Sequence, residues 1–202
     1  TVDVEATQKE IIERLGKALE HEAHGSNNLT RMVEMAQVLA QKVGLNEPEA
    51  HALRLAVPLL DIGTSIVPKS ILQKSSPLSD EEVFKIRQHA EFGYQILQDS
   101  SRPTIQMAAM LAKQHHERWD GKGYPEGLKG EEIDIRSRIA TLVDVFDALL
   151  NERPYKPAWA IDKVVAVLQE ESGKHFDPQL VEYVLEDLPA FIAIQARYPN
   201  KT

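Results

Sequence analysis

Two adjacent histidines, His115 and His116, end the apolar stretch MAAMLAKQHH and give the first sign of chemistry in the sequence. If that stretch is helical, their side chains lie about 100° apart around the helix axis. A third histidine, His89, lies on the inner side of another predicted helix, between Ile86 and Gly93. Because imidazole nitrogens are the commonest metal ligands in proteins, these three histidines are candidate ligands.

Two carboxylates stand where burial would be costly. Asp61 follows the largely apolar run LRLAVPLL, and Asp144 lies within the segment IATLVDVFDALL. A carboxylate in apolar surroundings is destabilising unless it is paired or bound to a cation. The chain contains no cysteine, so a metal ion must use histidine and carboxylate ligands, a set that suits Fe, Mn or Zn.

Each of these residues taken alone is more often structural than functional. A lone helical histidine is usually a core or surface residue, and Asp61, just before Ile62 and Gly63, has the position of a helix cap. Asp147 lies one turn after Asp144 and would repel it unless a positive group lies between them. Taken together, the three imidazoles and two carboxylates favour a divalent metal site.

The elements that must position these residues are predicted to be helical. Apolar residues recur at helical spacing over 29–43, and Gly44 is expected to end that helix. Ser79 and Glu82 form a capping box that opens another helix, and Asp177 caps a third. No segment alternates polar and apolar residues as a strand would. We therefore predict an all-α helical bundle that forms one domain over residues 1–202.

The composition restricts the class of partner. The net charge of −8 and the pI of about 5.4 argue against docking on a nucleic acid polymer or an anionic membrane, since both need clustered Lys and Arg. No apolar run is long enough to span a bilayer, and no signal peptide opens the chain. The absence of cysteine fits the reducing cytoplasm, which is the expected location.

The string HHERWDGKGYPEGLKGEEI, residues 115–133, resembles the signature of HD-GYP domains. These are bacterial phosphodiesterases of the HD superfamily that act on cyclic di-GMP. The resemblance runs from about Gln8 to Leu188 and includes the segments IVPKSIL and RIATLVDVFDALLNERPYKPA. It implies the helical bundle of the HD superfamily and a divalent metal centre. Because the family often carries a receiver or sensor domain upstream, we expect the chain to be part of a longer signalling protein.

The resemblance also implies roles for particular residues. The expected metal ligands are Asp61, His89, His115, His116 and Asp144. The expected nucleotide-contacting residues are Gly123, Tyr124, Pro125, Asp147, Arg153 and Lys156. No catalytic acid or base is assigned.

Four positions depart from the family's pattern. Leu60 replaces the histidine of the His-Asp doublet, and Thr64 replaces a lysine that follows the aspartate. In the first helix, Asn28 stands at a histidine position and His24 at a glutamate position. Leucine cannot bind a metal and asparagine is a poor ligand, although His24 is a possible one. We therefore expect one bound ion, Fe or Mn rather than Zn, instead of two or three.

Three functions stay open. The first is a degenerate domain that binds cyclic di-GMP or a related nucleotide, or a signalling protein such as a diguanylate cyclase, with little hydrolysis. The second is an active phosphodiesterase in which His24 or water replaces the lost ligands. The third is a structural module in which the metal and the pocket are relics, and the GYP loop or the helix faces contact a partner such as a diguanylate cyclase. The first is favoured, because losing one ion and the nearby lysine removes several kcal/mol of transition-state stabilisation, at least about a hundredfold in rate.

Overall fold

A computed structural model describes residues 2–19, 27–151 and 157–200. Within these ranges the chain forms α-helices joined by 3₁₀ helices and turns, with no strand, so the all-α prediction is confirmed. The α-helices are α1 (Val2–Leu19), α2 (Asn28–Lys42), α3 (Glu47–Ala56), α4 (Lys69–Leu72), α5 (Asp80–Leu97), α6 (Pro103–Gln114), α7 (Ile135–Leu150), α8 (Ile161–Glu171), α9 (Pro178–Glu186) and α10 (Leu188–Arg197). The 3₁₀ helices span Val57–Leu59, Ile62–Ile66 and Gly130–Glu132. In the part of the chain that the structure describes, no helix combines the length and apolarity needed to cross a membrane.

The predicted helix ends are confirmed by their local geometry. Helix α2 ends at Lys42, and Gly44 follows in the left-handed region with φ of 78°. Helix α5 begins with a capping box in which Ser79 and Glu82 each accept a hydrogen bond from the other's backbone N–H. The carboxylate of Asp177 caps the start of α9. These caps satisfy backbone donors that the helices themselves leave unpaired.

The hydrophobic core forms around α7, which packs against α2, α6, α8 and α9. Its buried side chains Ile139, Leu142, Val143 and Phe146 lie on the inward stripe of the helix. On the other side of α6, helices α3 and α5 complete the bundle. Helix α6 is therefore enclosed by neighbours, and its C-terminal end delivers residues to the interior.

A close backbone contact joins α5 to the 3₁₀ helix that follows Asp61. A β-carbon at Gly63 would collide with the carbonyl oxygen of His89 and would lie 2.6 Å from the backbone nitrogen of Gly93. Gly93 in turn packs tightly against Ala112 of α6. Glycine at position 63 is thus required for the approach that brings Asp61 beside α5 and α6.

A buried ion pair joins α2 to α7. The fully buried guanidinium of Arg31 donates to the two carboxylate oxygens of Asp147 at 2.5 and 3.0 Å. The side chain of Asn28 donates to the same carboxylate at 2.8 Å, and Arg31 also donates to the carbonyl oxygen of Tyr198 and the side chain of Asn200. The pair therefore holds α2, α7 and the segment after α10 together.

Replacing Arg31 with methionine is expected to lower the free energy of unfolding by about 3–5 kcal/mol, because Asp147 would be left as a buried charge without its partner. Urea denaturation monitored by circular dichroism would measure the change. Arg14→Met is the matched control, since Arg14 forms an exposed pair with Glu10 and its loss should cost no more than about 1 kcal/mol. Equal losses in the two variants would contradict the structural role of Arg31.

Candidate metal centre

Four side chains that the sequence marks as ligands converge at one point. Asp61, His89, His115 and His116 each offer a ligand atom, and these atoms all lie within 4.8 Å of one another. The Oδ1 atom of Asp61 is 3.3 Å from Nε2 of His115 and 3.6 Å from Nε2 of His89. The two Nε2 atoms are 3.3 Å apart. His89 and His115 are buried, while Asp61 and His116 are partly exposed, so the cluster is accessible from one side.

The backbone determines which nitrogen of two imidazoles faces the cluster. Nδ1 of His89 lies 2.5 Å from the carbonyl oxygen of Ile86, and Nδ1 of His115 lies 2.9 Å from that of Leu111. A carbonyl oxygen only accepts, so each Nδ1 must carry the hydrogen. In the neutral imidazole Nε2 then has a free lone pair directed at the cluster, which is the form that binds metals.

This arrangement fits a divalent cation. Metal–ligand bonds of about 2.0–2.2 Å place neighbouring ligand atoms roughly 3.0–3.5 Å apart, close to the separations seen among Asp61, His89 and His115. Two neutral imidazoles with Nδ1–H would otherwise point lone pairs at each other across 3.3 Å. When bound, a divalent ion would lower the pKa of a coordinated water and withdraw charge from a phosphate oxygen.

Burial and mutual charge set the protonation of the cluster. Burial lowers the pKa of His116 well below its usual value, and the neighbouring His115 and His89 lower it further. Burial and then His115 also lower the pKa of His89. For His115, burial acts to lower the pKa, but the hydrogen bond and charge of Asp61 outweigh it and the pKa is raised. Burial acts to raise the pKa of Asp61, yet the three imidazoles hold it below its usual range. A cation bound at this cluster would therefore compete with protons for the imidazole and carboxylate groups.

The glycine-rich loop after His116 is anchored by Glu117, whose side chain is buried. Its carboxylate accepts three backbone N–H bonds, from Glu126 at 2.7 Å, Gly127 at 3.2 Å and Leu128 at 3.0 Å. A β-carbon at Gly123 would lie 2.5 Å from the carbonyl oxygen of His116, so only glycine allows the loop to fold back on the end of α6. The loop is thus held against the cluster by its hydrogen bonds to the Glu117 carboxylate and by the close backbone contact at Gly123.

Tyr124 connects this loop to the cluster. Its ring stacks on that of His116 with centroids 4.9 Å apart and an interplanar angle of 12°. The Cζ atom of Arg87, from α5, lies 5.0 Å from the centroid of the Tyr124 ring. Burial raises the pKa of Tyr124 to about 12, with Asp61 and Asp144 adding to the shift and Arg87 opposing it. The phenol therefore stays protonated and is a hydrogen-bond donor at neutral pH.

Comparison with known proteins agrees with this site. Residues 15–180 match the sequence pattern of the HD domain family, and the span includes all four clustered ligands. This chain belongs to the HD domain family. The HD-GYP resemblance of residues 115–133 is confirmed with it, because the relatives that match this domain are cyclic dinucleotide phosphodiesterases.

Two relatives are about equally similar to this HD domain. The cyclic di-GMP phosphodiesterase response regulator RpfG of Xanthomonas campestris pv. campestris is 41% identical over 184 residues, 91% of this chain and 49% of that protein. The 3'3'-cGAMP-specific phosphodiesterase 2 of Vibrio cholerae is 40% identical over 200 residues, 98% of this chain and 38% of that protein. The HD domain thus spans half or less of the length of these relatives. The crystal structure of a cyclic GMP-AMP-specific phosphodiesterase of Vibrio cholerae shares the fold, with a TM-score of 0.69, 23% identity, and coverage of 92% of this chain and 50% of that one.

The other predicted site residues of the HD domain lie in different surroundings. Asp144 is half-buried on α7, and its charge acts on His115 and Tyr124, so it faces the same site. Asp147, predicted to contact nucleotide, is instead only 1% exposed and bonded to Arg31 and its neighbours. Both of its carboxylate oxygens are engaged there, so the structure gives it a structural role. The predicted residues His24, Arg153 and Lys156 lie outside the described residues.

Leu60, Thr64 and Asn28, the positions at which the resemblance leads us to expect a histidine or a lysine, make structural contacts. Leu60 is 3% exposed and belongs to the hydrophobic core. The hydroxyl of Thr64 donates to the carbonyl oxygen of Asp61 at 2.8 Å. Asn28 donates to Asp147 within the buried ion-pair network. None of these three side chains belongs to the four-residue cluster.

Two residues of the site were missed by reasoning from the sequence. Glu117 was part of the recognised string, and its place directly after the His pair was the available signal for a role near the site. Arg87 had no such signal, because its contact with Tyr124 joins residues far apart in the chain.

Replacing His115 with glutamine should abolish metal binding, since the side chain that lies 3.3 Å from both Asp61 and His89 would no longer offer an imidazole nitrogen. Elemental analysis of untagged protein purified anaerobically would measure the metal per chain. His51→Gln is the control, because His51 is exposed and contacts Arg54 rather than the cluster. An unchanged metal content in His115→Gln would place the ion elsewhere.

Proposed function

We propose that this HD-GYP domain binds a cyclic dinucleotide over a single divalent ion, and hydrolyses it slowly or not at all. The observation that carries the proposal is the burial of Leu60 in the core, at the position where the family has a metal-binding histidine. Asp61, His89, His115 and His116 supply enough ligands for one ion. A second ion would retain only Asp61 and Asp144, with His24 as a further candidate.

The ligand class follows from the relatives and from the loop. The relatives named above act on cyclic di-GMP or 3'3'-cGAMP, both of which are cyclic purine dinucleotides. Tyr124 offers a protonated phenol near the ion site, and the loop that carries it is held in place by Glu117. Arg153 and Lys156 are proposed as additional contacts to phosphate, since Arg forms bidentate bonds with phosphate oxygens. Fe or Mn is the proposed ion, since the ligands are imidazole and carboxylate.

Slow hydrolysis follows from the loss of charge at the site. Two-metal phosphodiester cleavage shares the developing negative charge between two ions. Here one ion is lost, and Thr64 provides no positive charge at the position of the family's lysine. A domain that binds nucleotide without turnover acts through the proteins it contacts, so a signalling partner such as a diguanylate cyclase is part of the same proposal.

An active metal-dependent phosphodiesterase is the second candidate, and the names of the relatives favour it. It requires that His24 or water complete a second ion site. The two candidates differ in metal stoichiometry, because the active enzyme needs two or more ions per chain and the binding domain needs one.

The deciding experiment compares the natural domain with the triple variant Asn28→His, Leu60→His, Thr64→Lys. We expect the natural domain to contain one ion, to bind cyclic di-GMP in calorimetry, and to hydrolyse it at least about a hundredfold more slowly than the variant, because the variant regains the second ion and the lysine. Hydrolysis would be followed by chromatography of the products.

Asn28→Gln, which introduces no metal ligand, is the control for disturbing the network around Asp147. Thermal unfolding would confirm that all variants are folded. Two or more ions in the natural domain, with turnover of about 1 per second or faster, would overturn the binding-only proposal in favour of the enzyme.

A further inference from the structure

We propose that Arg87 contacts a phosphate of the bound cyclic dinucleotide and supplies positive charge that Thr64 lacks. This inference rests on the proposed function and adds a specific recognition residue to it. Arg87 lies on α5, two residues before the metal-ligand candidate His89.

Arg87 lies against the ring of Tyr124. Its guanidinium carbon lies 5.0 Å from the centre of the Tyr124 ring, and that ring stacks on His116, a member of the metal cluster. Two ring contacts therefore separate the guanidinium from a metal-ligand candidate. Contact with a ring face leaves the N–H donors of a guanidinium available, because they lie in its plane.

Arg87 differs from the neighbouring cations Lys113 and Arg118 in its ion pairing. Lys113, close to the same loop, is paired with Glu126 at 3.1 Å, and Arg118 is paired with Asp120 at 2.9 Å. Arg87 is exposed, and among the residues that the structure describes it has no carboxylate within ion-pair distance. Its charge is thus free to be used by an anion.

The charges at the site favour a further cation beside the bound nucleotide. The carboxylates of Asp61 and Asp144 both act on Tyr124 and would oppose the charge of one divalent ion. A cyclic dinucleotide brings two further negative charges on its phosphodiesters. Thr64 is neutral, and its hydroxyl is engaged with the backbone of Asp61. Arg153 and Lys156 are proposed as phosphate contacts, and Arg87 is placed beside Tyr124 to add a further positive charge.

Calorimetry with cyclic di-GMP at several salt concentrations would test the contact. We expect Arg87→Gln to weaken binding by about tenfold, or about 1.4 kcal/mol, because the variant loses a hydrogen bond from a charged group to phosphate. Arg87→Lys should keep most of the affinity, because it keeps the charge. The dissociation constant of Arg87→Gln should also depend less steeply on salt than that of the natural domain. Metal content should be equal in all of these proteins.

Lys85→Gln is the matched control. Lys85 lies on the same helix, about 200° around its axis from Arg87, and is paired with Glu81 at 2.9 Å. The control loses the same charge and should bind like the natural domain.

The outcomes separate the two proposals. Unchanged affinity in Arg87→Gln, with the natural domain still binding, overturns the role of Arg87 alone. A reduced metal content in Arg87→Gln would mean that Arg87 acts only by supporting Tyr124 and His116, and would also overturn it. Equal weakening in Lys85→Gln would show a general effect of net charge and reject the contact. No binding of cyclic di-GMP by the natural domain overturns the proposed function and this inference together.

Discussion

The metal cluster depends on the close packing of backbone at Gly63. The 3₁₀ helix after Asp61 lies directly on the backbone of α5 at His89, and any side chain at position 63 would push them apart. With the segment displaced, the Asp61 carboxylate would leave the two Nε2 atoms that it now approaches at 3.3 and 3.6 Å. Gly93 of α5 in turn packs closely against Ala112 of α6. The site is therefore formed by the 3₁₀ helix, α5 and α6, which meet where their side chains are small.

The scaffold also prepares the chemistry of the site before any ion binds. Carbonyl oxygens of α5 and α6 accept from Nδ1 of His89 and His115, and so direct Nε2 of each ring inward. Burial favours the neutral form of His89 and His116, which is the metal-binding form. Metal binding would be coupled to the protonation of the Asp61–His115 pair, in which Asp61 raises the pKa of His115.

The substitutions at the site carry little structural penalty. Leu60 contributes to the hydrophobic core, where burial of a leucine side chain is worth about 1.5–3 kcal/mol. Thr64 and Asn28 satisfy their polar groups in local hydrogen bonds. On the proposed function, a second ion site could therefore be absent while the fold and the four-residue cluster persist. This separation would, on the same proposal, allow a domain that is about 40% identical to phosphodiesterases to keep the binding surface without the reaction.

The sequence by itself determined the helical class, the helix caps and the identity of the four clustered candidate ligands, because these depend on local spacing and on residue chemistry. The caps at Ser79 and Asp177 and the helix end before Gly44 are local effects of this kind. Asp144, which was also predicted to be a ligand, lies outside the cluster of four, and its charge acts on His115 and Tyr124. Only the tertiary structure decided that Asp147 pairs with Arg31, which lies 116 residues away, and that Arg87 contacts Tyr124. The physical reason is that the role of a charged side chain depends on which group it contacts in the folded protein. That contact is determined by how whole helices pack.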